Sequence, residues 1–242
     1  MIAMETSSLD AIIENMREPV REFADLVQQL PGSNAESLTI FGALAGGSFD
    51  PKRHTVRSVL VLDNIDLDLL RRLAEEGERL GKSRFAAPLI MTPDYIAASL
   101  DTFPLELIEI HQCHVNVFGI DHFKDLKFED RHVRLQCERE FKSILINLRQ
   151  GLLAAAGRDD MLEAVEVDIA EKLVRTMRGM LWLKGRKEAK HAAEVVDEVG
   201  ELVKHPLAGV RAALDPNVRH GWEEFQQLYQ DVAAVGDIVD AW

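Results

Sequence analysis

The chain has two textures, and the change between them near Glu129 limits the fold more than any other feature. From there to residue 241, apolar residues recur at three- and four-residue steps and β-prone runs stop. The breaks fall at Gly157, Gly185, His205-Pro206 and Asp215-Pro216, residues that end a helix or cannot continue one. The spacing predicts helices over 129–156, 159–184, 188–204, 206–214 and 221–241. Stripes such as Leu173, Met177, Met180 and Leu181 must be buried against something, so these helices are expected to form a bundle.

The first half alternates. Residues 8–30 carry a helical stripe that Pro19 should bend or divide. Ser37 to Leu44 is a short β-prone run, followed by turn signals at Gly46-Gly47-Ser48 and Asp50-Pro51. Thr55 to Asp63 is the clearest strand, since Val56 and Val59 to Leu62 are apolar in the manner of a strand covered on both faces. Asn64 is expected to cap a helix running to about Leu80, with Gly81 ending it. Ala87 to Met91 reads as a brief strand, and Thr92-Pro93-Asp94 as a helix start. Phe103 to Phe118 reads as one or two strands, because Leu105, Leu107, Ile108, Ile110, Val115 and Val117 alternate with polar residues. The order is helix, mixed elements, then helices only, which reads as α+β: a mixed-sheet domain over 1–128 and a helical domain over 129–242.

Charge bears on partners. A formal net charge of −13 disfavours nucleic acid, since phosphate backbones are repelled. The basic runs Arg131 to Arg149 and Arg175 to Lys190 are interleaved with acids and apolar residues, as on solvated helix faces. Cys113 and Cys137 make no disulfide framework, and no apolar stretch has bilayer-spanning length. With no signal-peptide pattern at the start, the expected setting is cytoplasmic, without membrane contact.

One constellation carries chemistry. Thr39-Ile40-Phe41-Gly42-Ala43-Leu44-Ala45-Gly46-Gly47 is followed by Thr55-Val56-Arg57-Ser58-Val59-Leu60-Val61, with eleven residues between Ala43 and Thr55. This order resembles the polymerase-β-like nucleotidyltransferase superfamily, where a strand ends in Gly-Ser and the next strand opens with Asp-x-Asp. Phe103 to Ile110 and Arg131 to Glu138 are similar to a group of bacterial nucleotidyltransferase-like proteins, so the likeness covers roughly residues 35–150. It implies a nucleotidyltransferase-like mixed sheet with flanking helices, followed by a C-terminal helical bundle. In the family the glycine admits a triphosphate, the serine donates to it, the aspartate pair holds Mg²⁺, and a third acid helps activate the acceptor hydroxyl.

The departures decide the functional expectation. Gly-Ser is Gly42-Ala43, which removes a phosphate donor. The aspartate positions hold Thr55 and Arg57, or Val56 and Ser58 in the shifted register, and a cation opposes metal there. Glu106 or Glu109 fits the third acid's place, and Glu106 is the candidate catalytic residue. The resemblance makes Gly42, Ala43, Ser48, Arg57 and Ser58 the nucleotide-binding candidates. The leading expectation is a degenerate member that binds a nucleotide or a protein partner. The alternative is an active enzyme that uses Mg²⁺ and transfers NMP from an NTP to a small-molecule or protein acceptor, with a rearranged acid set drawn from Asp50, Asp63, Glu106 and Glu109. A third role is structural, with the helical tail as a homodimer surface.

Other signals have plainer readings. Asp66-Leu67-Asp68 looks like Asp-x-Asp but reads as an acidic first helical turn. His111, Cys113 and His114, with His122 nearby, lack four-ligand zinc spacing and read as strand residues. Cys137, flanked by Glu138 and Glu140, reads as a buried thiol, and Trp182 and Trp222 as core.

Overall fold

The computed structural model describes residues 8–30, 34–47, 49–51, 54–188, 191–215, 217–218 and 221–242. The chain divides into two compact units. One holds the residues up to Leu100 together with Glu109–Lys127, the other Asp101–Ile108 with Phe128–Trp242.

The first unit is built on a four-stranded mixed sheet. Its strands are β1 (Ala35–Phe41), β2 (Arg57–Leu62), β3 (Leu89–Met91) and β4 (His114–Gly119), in the order β3-β2-β1-β4. β1 runs antiparallel to β2 and β4, and β2 runs parallel to β3. Thr39 lies opposite Val59 and Phe41 opposite Arg57, so the two expected strands are neighbours. Strand alternation sends Leu38, Ile40, Leu60 and Leu62 to one face, where they form a core with Val20, Phe23 and Val27 of α1 (Glu14–Gln29). α1 runs through Pro19 as one element rather than dividing there.

Two further expectations for the first half of the chain change. The helix placed over 64–80 is two, α2 (Leu67–Glu75) and α3 (Gly77–Lys82), and its cap is Asp66, whose side chain accepts from the Asp68 N–H, not Asn64. The run at 103–118 is not strand throughout. Pro104–Gln112 is helix α5, which follows α4 (Pro93–Ala98), and only β4 is strand. Leu105, Leu107, Ile108 and Ile110 are all buried. A helix covered on several sides lacks the polar stripe that marks helical periodicity, so its sequence imitates alternation.

The second unit contains α6 (Asp130–Ala155), α7 (Asp159–Leu183), α8 (Ala192–Val203), α9 (Ala208–Leu214) and α10 (Trp222–Asp240), close to the expected spans. Leu173, Met177, Met180 and Leu181 are buried in its core. Gly179 permits the closest packing there, since a Cβ would stand 2.2 Å from Leu105 Cδ2 and 2.9 Å from Cys137 Sγ. Cys137 is fully buried, and burial, then the charge of Glu140, pushes its thiol up to about 12. Trp182 is core as expected, but Trp222 is 54% exposed at the first turn of α10. Among the described residues no helix is long and apolar enough to cross a membrane.

Candidate functional site

β1 ends at Phe41 and the chain turns at once. Gly42 has φ of +76°, a conformation that glycine adopts without Cβ strain. Its N–H donates to the Cys113 carbonyl at 3.3 Å, and its carbonyl accepts from Gly46 N–H at 2.9 Å. A Cβ on Gly46 would meet Cys113 Sγ at 3.0 Å. Glycines at 42 and 46 thus fold this turn tightly against the residue that precedes β4.

Arg57 opens β2 directly across from Phe41, so both side chains leave the same face of the sheet. The guanidinium carbon sits 4.4 Å from the centre of the Phe41 ring. Its two terminal nitrogens meet the two Glu109 oxygens at 2.7 and 3.3 Å, a forked pair between β2 and the last turns of α5. Arg57 is 42% and Glu109 18% exposed at the side chain. Stacking on one side and a two-point ion pair on the other are what a planar guanidinium supplies and an ammonium does not.

On the far side of Phe41, across β1, stands His114. Its Nε2 lies 3.1 Å from both oxygens of Asp121, and its Nδ1 lies 2.8 Å from the Ile110 carbonyl. Burial pulls the Asp121 carboxyl upward. The hydrogen bond from His114, the Phe123 N–H, the charge of His114 and the Lys124 N–H together outweigh it and leave the carboxyl below its ordinary 3.8. A depressed carboxyl stabilises the fold at pH above its unfolded value, and that contribution is lost as pH falls through the folded value. Asp121→Asn is therefore expected to lower stability at pH 7 by about 1–2 kcal/mol. The difference from wild type should shrink steadily below about pH 4. Urea melts at pH 7, 4 and 3 check this, and a gap that stays constant with pH would count against it.

The sequence-derived candidates scatter. Gly42 and Arg57 meet at the end of β1 and the start of β2, and Ala43 is the next residue of the turn. Ser58 does not join them, because it pairs with Ile40, is buried, and points to the opposite face from Arg57. Ser48 lies outside the described residues. Glu106 stands on α5, not on a strand, and Gln136 Nε2 donates to it at 2.8 Å, with Arg175 at 3.6 Å. The acid that reaches Arg57 is Glu109, three residues on. Asp63 follows β2 at the end away from Arg57, six residues or about 20 Å along the strand. The backbone N–H of Asp50 donates to His54 Nδ1 at 3.0 Å, a contact inside its own loop. His111 is helical, and its Nδ1 faces the Phe123 carbonyl at 2.7 Å. Sequence reasoning missed Phe41 and Asp121, and an aromatic residue directly before the glycine turn was the one available signal.

Mg²⁺ does not fit this donor set. Thr55 is exposed and neutral, Arg57 is a cation, and Glu109 is already engaged by it. Among the described residues no three His, Cys, Asp or Glu side chains form a group that could hold a metal ion.

Comparison with known proteins gives the fold its class. No protein-family model matches the chain, and no curated protein does. Among solved structures the chain is similar to spectinomycin adenyltransferase AAD(9) from Enterococcus faecialis, crystallised with ATP and spectinomycin. The TM-score is 0.59 at 12% identity, over 92% of this chain and 98% of that one. The chain therefore has a nucleotidyltransferase-like fold, with the mixed sheet, flanking helices and C-terminal helical region that the resemblance implies.

Proposed function

We propose that this protein is a nucleotidyltransferase-fold protein that has given up two-metal transfer and binds a nucleotide through Arg57 without a divalent cation. The observation that supports it is the Arg57–Glu109 pair at the start of β2. In the family resemblance that position belongs to a carboxylate, so a guanidinium now supplies the positive charge that Mg²⁺ would bring to a triphosphate. Gly42 leaves the backbone beside it without a Cβ, and one added there would stand 3.6 Å from the guanidinium. The fold likeness to an adenyltransferase solved with ATP makes a nucleoside triphosphate the first ligand to try.

Titration calorimetry with ATP tests this, once with Mg²⁺ and once with a chelator. The expected affinity is equal or higher in the chelator. Glu109→Gln, which releases the guanidinium, should tighten binding about tenfold, and Arg57→Ala should abolish it. Binding that requires Mg²⁺ would overturn the reading. So would transfer of a labelled nucleotide to a small molecule or protein that disappears in Glu106→Gln or Asp63→Asn, and that result would establish the rearranged acid site instead.

A further inference from the structure

The α6–α7 hairpin carries a surface that its own unit leaves uncovered. The two helices are joined through Ala156 and Gly157, at φ of +49° and +80°, so the second half of α6 lies beside the first half of α7. They touch closely there, since a Cβ on Gly151 would meet Val165 Cγ1 at 2.7 Å. Ile144, Leu148, Ala155, Leu162 and Ile169 face inward and are buried. Facing outward on α6, Ile146 is 52% and Leu153 80% exposed. They stand two helical turns apart on one line, and Leu135 continues it three turns earlier. On α7, Met161 and Val167 are exposed on either side of Ala164. Single exposed leucines need no account, but here three apolar residues recur along one line of α6 with Lys142 and Arg149 between them, beside Met161 and Val167 set among the acids of α7.

Charge identifies what covers it. Residues 142–155 hold Lys142 and Arg149 and no acid, whereas residues 159–170 expose Asp159, Asp160, Glu163 and Asp168 and hold no base. Arg149 donates through Nε to the Tyr229 hydroxyl at 2.8 Å, and Lys142 meets Glu138 and Asp240 at 2.6 and 3.2 Å. Asp160 and Glu163 are exposed. An acidic partner or an anionic membrane would suit the α6 arm and be repelled by α7, and a basic partner would meet the reverse. A surface with the same two arms in exchanged order suits both.

We propose that a second copy of this chain is that surface. The two hairpins pack face to face about a two-fold axis parallel to the helices, each α6 against the other copy's α7, with both tips at the same end. A two-fold contact is self-complementary, and this arrangement sets basic arm on acidic arm twice. The apolar line of Leu135, Ile146 and Leu153 fills the seam, and the paired arms offset locally the repulsion between two chains of net charge −13.

Size-exclusion chromatography with light scattering on the full chain tests this at about 50 μM, where the mass of two chains is expected for a contact of micromolar strength or better. Leu153→Asp should halve that mass without changing the circular dichroism spectrum. Lys142→Glu with Arg149→Glu should weaken the dimer at least tenfold, and adding Asp160→Lys and Glu163→Lys should restore it. A wild-type monomer at this concentration overturns the proposal. So does a dimer that survives Leu153→Asp, or a charge exchange that fails to restore a dimer it had broken.

Discussion

Asp231→Ala is expected to destabilise the helical unit by about 3–5 kcal/mol, a large share of the roughly 5–15 kcal/mol that holds an ordinary domain folded. Asp231 is fully buried on α10, and its carboxylate is the meeting point of three elements. One oxygen accepts from Gly209 N–H at 2.7 Å and Val210 N–H at 3.2 Å. The other lies 2.8 Å from His205 Nε2 and accepts from Gln227 Nε2 at 3.0 Å. Gly209 and Val210 are in the first turn of α9, whose own N-cap residue, Leu207, has no side-chain oxygen to offer. The cap therefore comes from another helix. Removing it strands two buried amides and takes the partner from His205, whose side chain is partly exposed. Gly209 has no alternative packing, because a Cβ would stand 2.3 Å from the Leu228 amide nitrogen. Urea unfolding followed by circular dichroism measures the loss, and Asp231→Asn should fall between wild type and Ala. A loss under about 1 kcal/mol would mean that water replaces the carboxylate.

The second large effect is expected at Gly119. It closes β4 at φ of +78°, opposite Ser37 on β1. A Cβ there would lie 1.8 Å from the Glu36 carbonyl oxygen and 2.8 Å from its carbon. That neighbour is backbone in the adjacent strand and cannot swing aside as a side chain would. Gly119→Ala therefore combines about 1–2 kcal/mol of left-handed strain with a collision that must separate β1 from β4, for a total of about 3–5 kcal/mol. Gly47→Ala is the control. Gly47 has a similar φ of +72° with nothing within 4 Å of its Cβ position, so it should lose only the strain. Equal losses at the two positions would show that the collision relaxes.

These contrasts also explain what the sequence disclosed. β2 was legible because Val59 to Leu62 are apolar on both faces, a pattern few other structures produce. The helices after Glu129 were legible because each has one buried and one wet side. α5 was not, because burial of Leu105, Leu107, Ile108 and Ile110 on several sides erased its helical signature. That error carried into the site. On a strand, Glu106 and Glu109 would face opposite ways, and Glu106 was the one taken as the candidate acid. On a helix they are one turn apart, and the chain gives Glu109 to Arg57 and Glu106 to Gln136. Trp222 was misplaced for a different reason. It sits three residues before the Phe225, Leu228, Val232, Val235, Val239 stripe, in register with it but a turn beyond the bundle's cover. Asp121 carried no signal, because its role depends on a histidine seven residues away that only the folded loop brings near.

On the proposed reading, the forked Arg57–Glu109 pair would make the end of β2 behave as an ion exchanger. A nucleotide arriving there would not find a vacant charge; it would have to evict a carboxylate that is tethered to the same chain and therefore always at hand. Eviction favours species that offer two oxygens at carboxylate spacing and more than one negative charge, and chloride offers neither. The threshold for entry would then be set by competition with Glu109, and a protonated or monoanionic ligand would be turned away.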